Sequence, residues 1–276
     1  MTVDTLVEGL TFPVSARWHA GHLWVADQGA GTVLALDPGT GALNTVAELP
    51  GHPAGLGFLP DGRLLIACGT DRLLLRREAS GELVVHADLA GVTDGRLADL
   101  SVDVTGRAYV GCRGDDHATD DLAMVEPDGT VHDVACSLRC PGGLVVDAVG
   151  GTLTVAESRA VPPRLTTFTI APDGGLEQQR TFAEFGSDMR PEGLAIDAAN
   201  GIWVVSPTTG DVLLVDAEGA VGDRFTVRRP YAVALGGADG RDLFVCTAPS
   251  TDPMAAVAAG SGAALRLRVT VPGPGF

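Results

Sequence analysis

Glu192 stands in the run Pro191-Glu192-Gly193-Leu194, a single carboxylate at the entrance to an apolar segment. A carboxylate so placed suits general acid or base work; a salt bridge to Arg190 or Arg96 is the competing arrangement and leaves it without chemistry. Asp27 and Glu157 each follow an apolar run, Leu23-Trp24-Val25-Ala26 and Leu153-Thr154-Val155-Ala156. They suit partner carboxylates for Glu192, or caps that accept backbone N–H bonds. Cys112 precedes Arg113, a neighbour that lowers a thiol pKa and favours nucleophilic character, although no histidine is placed to assist it. There is no Gly-x-Ser-x-Gly elbow, and none of the six histidines has a signature neighbour. His52, just before Pro53, is the histidine best placed to reach a pocket. Neither a Walker loop nor a dinucleotide fingerprint occurs, so no nucleotide cofactor is implied.

A repeat must position these groups. Six short apolar strands open at Val14-Ser15-Ala16, Ala54-Gly55-Leu56, Ala98-Asp99-Leu100, Gly142-Gly143-Leu144, Glu192-Gly193-Leu194 and Tyr231-Ala232-Val233, at steps of 40, 44, 44, 50 and 39 residues. Each step suits four short strands with their turns, one propeller blade. Within a step, turn residues such as Pro60-Asp61-Gly62, Thr105-Gly106 and Asn200-Gly201 separate the first apolar run from the second, which is a hairpin pattern. The fold class predicted is all-β: a six-bladed β-propeller of four-stranded blades, a single domain over 1–276. Strand character in Thr2 to Leu10 predicts that the N-terminal strand joins the last blade and closes the ring, which removes an open edge. The Ala/Gly/Ser-rich stretch Ala255 to Ala264 reads as a flexible loop inside blade 6.

The alignment of blades predicts two sets of pocket residues. Val14, Ala54, Ala98, Gly142, Glu192 and Tyr231 open the first strands. Asp27, Cys68, Cys112, Glu157, Ser206 and Thr247 end the second strands, where a polar side chain after an apolar run is expected to turn toward the pocket. A centre lined mainly by Val, Ala and Gly suits an uncharged, largely apolar small molecule.

Composition narrows the partners. With 35 acidic and 19 basic residues the formal charge is −16, which repels phosphate backbones and anionic lipid, so neither nucleic acid nor membrane is an expected partner. Met1 to Leu10 carries Asp4 and Glu8 where a signal peptide carries Lys or Arg, and a cytoplasmic monomer or small homo-oligomer is expected. Five cysteines, an odd number, suggest thiols rather than a disulfide framework. Cys136 and Cys140 lie four apart, with no second pair to complete a zinc set.

Arg17-Trp18-His19-Ala20-Gly21-His22-Leu23-Trp24-Val25-Ala26-Asp27, Arg96-Leu97-Ala98-Asp99 with Gly106-Arg107-Ala108-Tyr109-Val110-Gly111, and Pro191-Glu192-Gly193-Leu194-Ala195-Ile196-Asp197 with Trp203-Val204 fall at corresponding places in successive blades. Together they resemble the senescence marker protein, gluconolactonase and luciferin-regenerating enzyme family over nearly the whole chain. The resemblance implies a six-bladed propeller with a divalent metal in its central channel and hydrolysis of lactones or related esters. It also implies that Arg96 contacts substrate. Family metal ligands are a Glu in a Glu-Gly-Pro-x-Trp run, an Asn in Pro-Asn-Gly, an Asp in Pro-Asp-Gly and an Asn of an Asn-Asp pair. The matching positions here are Val14, Gly142, Glu192 and Ala98, so one side-chain oxygen donor remains.

A hard cation such as Ca²⁺ takes six or more oxygens, so no metal or other cofactor is expected. The function expected is small-molecule acid/base chemistry centred on Glu192: cyclisation, isomerisation, elimination or hydration. A metal-dependent lactone hydrolase with a remodelled site and a non-catalytic ligand-binding propeller are the alternatives.

Overall fold

The computed structural model describes residues 3–114, 120–147 and 151–275, with the side chain of Cys136 outside that set, and with it the expectation for Cys136 and Cys140. Strand β1 (Val3–Leu10) is followed by blade 1, β2–β5 (Pro13–His19, His22–Asp27, Thr32–Leu36, Leu43–Glu48). Blade 2 is β6–β9 (Pro53–Phe58, Leu64–Cys68, Leu73–Arg77, Leu83–Asp88), and blade 3 is β10–β13 (Arg96–Val102, Ala108–Arg113, Asp120–Val125, Val131–Leu138). Blade 4 is β14–β17 (Pro141–Asp147, Thr152–Glu157, Arg164–Ile170, Leu176–Glu184), and blade 5 is β18–β21 (Leu194–Ile196, Ile202–Ser206, Asp211–Val215, Val221–Thr226). Blade 6 is β22 (Pro230–Gly236), β23 (Asp242–Thr247) and β24 (Gly262–Arg268), with helix α1 (Pro253–Ala259) between the last two.

Every blade is a four-stranded antiparallel sheet, and the fold is a six-bladed β-propeller. The last sheet runs β1-β24-β23-β22, with Val3 opposite Leu267 and Leu10 opposite Gly262, so the N-terminal strand completes blade 6 as expected. The expected turns form as well. Gly62 closes the first hairpin of blade 2 at φ +84°, donating to Leu59 O at 2.8 Å, a conformation that glycine reaches without strain.

The chain falls into two compact units: one holds blades 1, 5 and 6, the other blades 2, 3 and 4. In the first, Leu10, Ala16, Leu23 and Leu36 of β1 and blade 1 pack on Ala232, Phe244 and Cys246 of blade 6, while Trp203, Val205 and Val212 of blade 5 pack on Val233, Leu243 and Val245. Trp18 stacks on Phe244 with ring centroids 5.3 Å apart. In the second unit, Leu65, Leu74, Leu100 and Val110 join blades 2 and 3, and Tyr109, Met124, Leu144, Val155 and Phe168 join blades 3 and 4. Strands β7, β19 and β23 are buried along their whole length, as expected of a strand whose sheet is covered on both faces.

One buried base makes the second unit sensitive to acid. His86 accepts a hydrogen bond at Nδ1 from Arg76 Nη1 at 3.1 Å, which requires the neutral ring. Burial first, then the charges of Arg76 and Arg63, hold its pKa below the ordinary value. Its contribution is therefore complete above a pH of about 6.5 and is lost as pH falls, because the unfolded chain takes up the proton first. The thermal midpoint of the wild type is expected to drop more between pH 7.5 and pH 5.5 than that of His86→Gln; equal drops would contradict this.

Residues 255–264, expected as a flexible loop, instead contain most of helix α1 and the start of β24. The Asp252 side chain accepts from Met254 N at 2.9 Å and Ala255 N at 3.4 Å, Pro253 opens the helix, and Gly260 caps it in the left-handed region at φ 51°. Between those caps lies an alanine-rich segment of high helix propensity; the Gly-Ser content that suggested flexibility falls beyond the C-cap. Asp252→Ala is expected to weaken the helix by about 1 kcal/mol. Faster hydrogen exchange at the Ala256 and Gly260 amides would register it, and unchanged exchange would count against the cap.

Candidate functional site

A slip in pairing marks the start of the first strand in five blades. Register shifts fall between Pro13 and Ser15, Pro53 and Gly55, Leu97 and Leu100, Pro141 and Leu144, and Pro230 and Ala232. Val14, Ala54, Ala98, Gly142 and Tyr231 are thus bulge residues, released from the ladder and aimed by the local bend. In blade 5 the ladder begins only at Leu194, and Glu192 is held instead by its N–H to Val205 O at 2.9 Å.

Gly193 then brings Glu192 to its neighbour. Its N–H donates to Tyr231 O at 3.1 Å, and a Cβ at this position would sit 2.7 Å from that oxygen and 2.8 Å from Ala232 Cα. Only glycine permits that approach of blade 5 to blade 6. Gly55 occupies the same repeat position and meets Ala98 O and Asp99 Cα at 2.8 Å, so the Gly-Leu pair was a readable signal for close blade contact.

Glu192, Tyr231 and Val14 are all half-buried. Val14 and Tyr231 pack on one apolar cluster of Phe12, Ala248 and Ala256, the last from helix α1, and the Phe12 ring lies 4.8 Å from that of Tyr231. Burial, reinforced by the charge of Glu192 and opposed by Arg229, raises the Tyr231 hydroxyl pKa. The phenol stays protonated at neutral pH and remains a hydrogen-bond donor. Phe12 and Arg229 were not expected from the sequence; both lie in linkers just before a first strand, where no apolar period marks them.

In the second-strand set, Asp27 and Glu157 follow the capping alternative and not the partner-carboxylate one. Asp27 accepts from Thr11 N at 2.9 Å, Thr11 Oγ1 at 2.6 Å and Phe12 N at 2.7 Å, fastening the linker that leads into its own blade. Glu157, fully buried, accepts from Arg139 N at 2.8 Å, Arg164 Nε at 2.8 Å, Arg164 Nη2 at 3.3 Å and the Thr166 hydroxyl. Ser206 Oγ accepts from Arg190 N at 3.0 Å, and Thr247 Oγ1 bonds the Ala263 backbone. These polar side chains turn to backbone groups and to charges in the same unit, not to open space, because an unpaired N–H at a buried blade junction is costly.

Cys112 is also corrected. Its thiol is buried and pushed up to about 12 by desolvation, with the Asp121 charge adding to it, while Arg113 Nε donates to Pro141 O at 2.8 Å. Cys68 is likewise buried and raised to about 12. Neither is an activated nucleophile. Arg96 is exposed and has no side-chain hydrogen bond or ion pair among the described residues, and exposed His52 meets Gln28 O through Nδ1 at 3.0 Å.

Donor chemistry tests the metal that the family resemblance implies. Val14 in the unit of Glu192, and Ala98 and Gly142 in the other, offer no side-chain oxygen. Among the described residues no three His, Cys, Asp or Glu side chains gather in a group able to hold a metal ion. This donor set does not fit a tightly held hard divalent cation. Nor is any helix among the described residues long and apolar enough to cross a membrane.

Known proteins match over almost the full length. The chain is 29% identical over 266 residues to a pentonolactonase of Haloferax volcanii, covering 90% of this chain and 86% of that protein. The structure of a calcium-binding regucalcin from Agrobacterium tumefaciens superposes with a TM-score of 0.84 at 22% identity, covering 99% of this chain and 95% of that one. A luciferin-regenerating enzyme superposes with a TM-score of 0.85 at 16% identity, covering 99% and 97%. The family model described as an SMP-30/Gluconolactonase/LRE-like region matches residues 12–249, and the chain belongs to that family.

Proposed function

We propose that the protein is a small-molecule enzyme that hydrolyses a lactone or related cyclic ester, with Glu192 moving the proton and no tightly held divalent cation. The observation that carries this reading is the close approach of the Glu192 and Tyr231 segments, where Gly193 N donates to Tyr231 O at 3.1 Å and sets a carboxylate near a phenol that stays protonated. Membership of a family that includes a pentonolactonase supports the substrate class. In this reading Glu192 takes a proton from water as the water oxygen bonds to the acyl carbon. The carbonyl oxygen becomes an oxyanion and accepts a hydrogen bond from the Tyr231 hydroxyl. The ring C–O bond then breaks, and the proton on Glu192 passes to the departing alkoxide.

The same proton traffic serves elimination or isomerisation, and the loss of three oxygen donors at Val14, Ala98 and Gly142 favours keeping that second reading. Mass analysis of products from a panel of aldonolactones and other cyclic esters separates them: hydrolysis adds the mass of one water, whereas isomerisation adds none. Saturable binding of panel compounds without turnover would contradict both and support a binding protein.

A further inference from the structure

An open cleft of about 460 Å³ lies in the unit of Glu192, walled by the turn after Ser206 and by the linker that enters blade 6. Thr208, Thr209, Thr226, Arg228 and Arg229 supply its polar groups. Three observations mark it as more than a surface dent. The Thr209 hydroxyl is buried with no hydrogen-bond partner among the described residues, a cost that a bound acceptor would remove. Arg228 is exposed and forms no ion pair or hydrogen bond among the described residues, although the chain carries a net charge of −16. Arg229 is held at φ +46°, a rare conformation for a non-glycine residue, and anchored by Nη1 to Pro249 O at 2.8 Å.

The nearest acid of the turn is already committed, since Asp211 is paired with Arg224 Nε at 2.8 Å and Nη2 at 2.9 Å. Gly210 lets the turn close onto the linker: a Cβ there would lie 2.8 Å from Val227 O, and Val227 N donates to Gly210 O at 2.9 Å. The cleft adjoins the Glu192 segment, because Arg190 N donates to Ser206 Oγ at 3.0 Å and Thr208 Oγ1 donates to Asp188 O at 2.7 Å. Tyr231 feels the charge of Glu192 and that of Arg229 together, so the cleft and the carboxylate lie within electrostatic reach of one phenol.

We propose that this cleft is a subsite for an oxyanion group, a carboxylate or phosphate carried by the substrate, bound by Arg228, Arg229 and Thr209. Guanidinium groups recognise such anions by charge-assisted hydrogen bonds, and an isolated cationic spot on an acidic surface draws anions to itself. The substrate class becomes an anionic lactone, which rests on the lactone reading and differs from the uncharged ligand that the first-strand positions suggest.

Titration with inorganic phosphate, followed by NMR shifts of the Thr209 and Gly210 amides, tests the subsite apart from catalysis. Wild type and Glu192→Gln are expected to bind saturably, and Arg228→Gln and Thr209→Val to bind about tenfold more weakly. In parallel, the ratio of kcat/KM for a carboxylate-bearing lactone over its neutral counterpart is expected to fall about tenfold in Arg228→Gln, through KM. Phosphate affinity unchanged in both subsite variants, or no saturable binding by wild type, would overturn the subsite whatever the turnover. Saturable binding that both variants weaken, with no lactone turned over, would sustain the subsite and remove the lactone reading.

Discussion

Glu192→Gln is expected to lower kcat/KM on the best lactone by about 10²–10⁴, with the thermal midpoint within a degree or two of wild type. The amide keeps the volume and polarity of the carboxylate but cannot take a proton from water near neutral pH. The backbone bonds that hold the segment, Glu192 N to Val205 O and Gly193 N to Tyr231 O, do not involve the replaced group. Loss of turnover without loss of stability therefore reports chemistry. A folded variant with near wild-type kcat would remove Glu192 from the proton-transfer role.

Glu157→Gln should show the opposite pattern. Its carboxylate is fully buried and serves a backbone N–H, a hydroxyl and a bidentate Arg164 whose side chain is 27% exposed. Glutamine keeps one acceptor oxygen but sets an NH2 donor against other donors and removes the counter-charge of the guanidinium inside blade 4, a loss of about 3 kcal/mol. For a chain of this size that corresponds to a fall of about 6–10 °C in the thermal midpoint. Residual activity per folded molecule should stay close to wild type. A stable Glu157→Gln protein with abolished turnover would place this acid in the chemistry after all.

The contrast between these acids also shows what the sequence carried. Blade boundaries and hairpins were legible because short apolar runs and Asp-Gly-like turns are local, and the pairing of β1 with blade 6 was legible from the strand character of Thr2 to Leu10. Asp27, Glu157 and Ser206 were found at a common repeat position, yet their direction was not legible. Whether a polar residue at a strand end faces a cavity or a neighbouring N–H depends on the linker from the preceding blade, which carries no periodic signal. The bulges that free Val14 and Tyr231 were hidden for the same reason, since register is a property of two strands. Helix α1 runs against the Ala/Gly/Ser composition of its segment, although Asp252, Pro253 and Gly260 are readable as its start and stop. Arg228 and Arg229 lie in the linker before β22, outside both the first-strand openings and the second-strand ends that the repeat singles out.

Exhaustive chelation bears most directly on the claim that a carboxylate, and not a coordinated cation, carries the reaction. Initial rates of lactone opening are to be measured after dialysis against EDTA, then again with Ca²⁺, Zn²⁺, Mg²⁺ or Mn²⁺ restored, for wild type and Glu192→Gln side by side. The expected result is a wild-type rate that chelation and restoration leave unchanged, and a Glu192→Gln rate that stays low throughout. A wild-type rate that vanishes with EDTA and returns with one of these ions would contradict it.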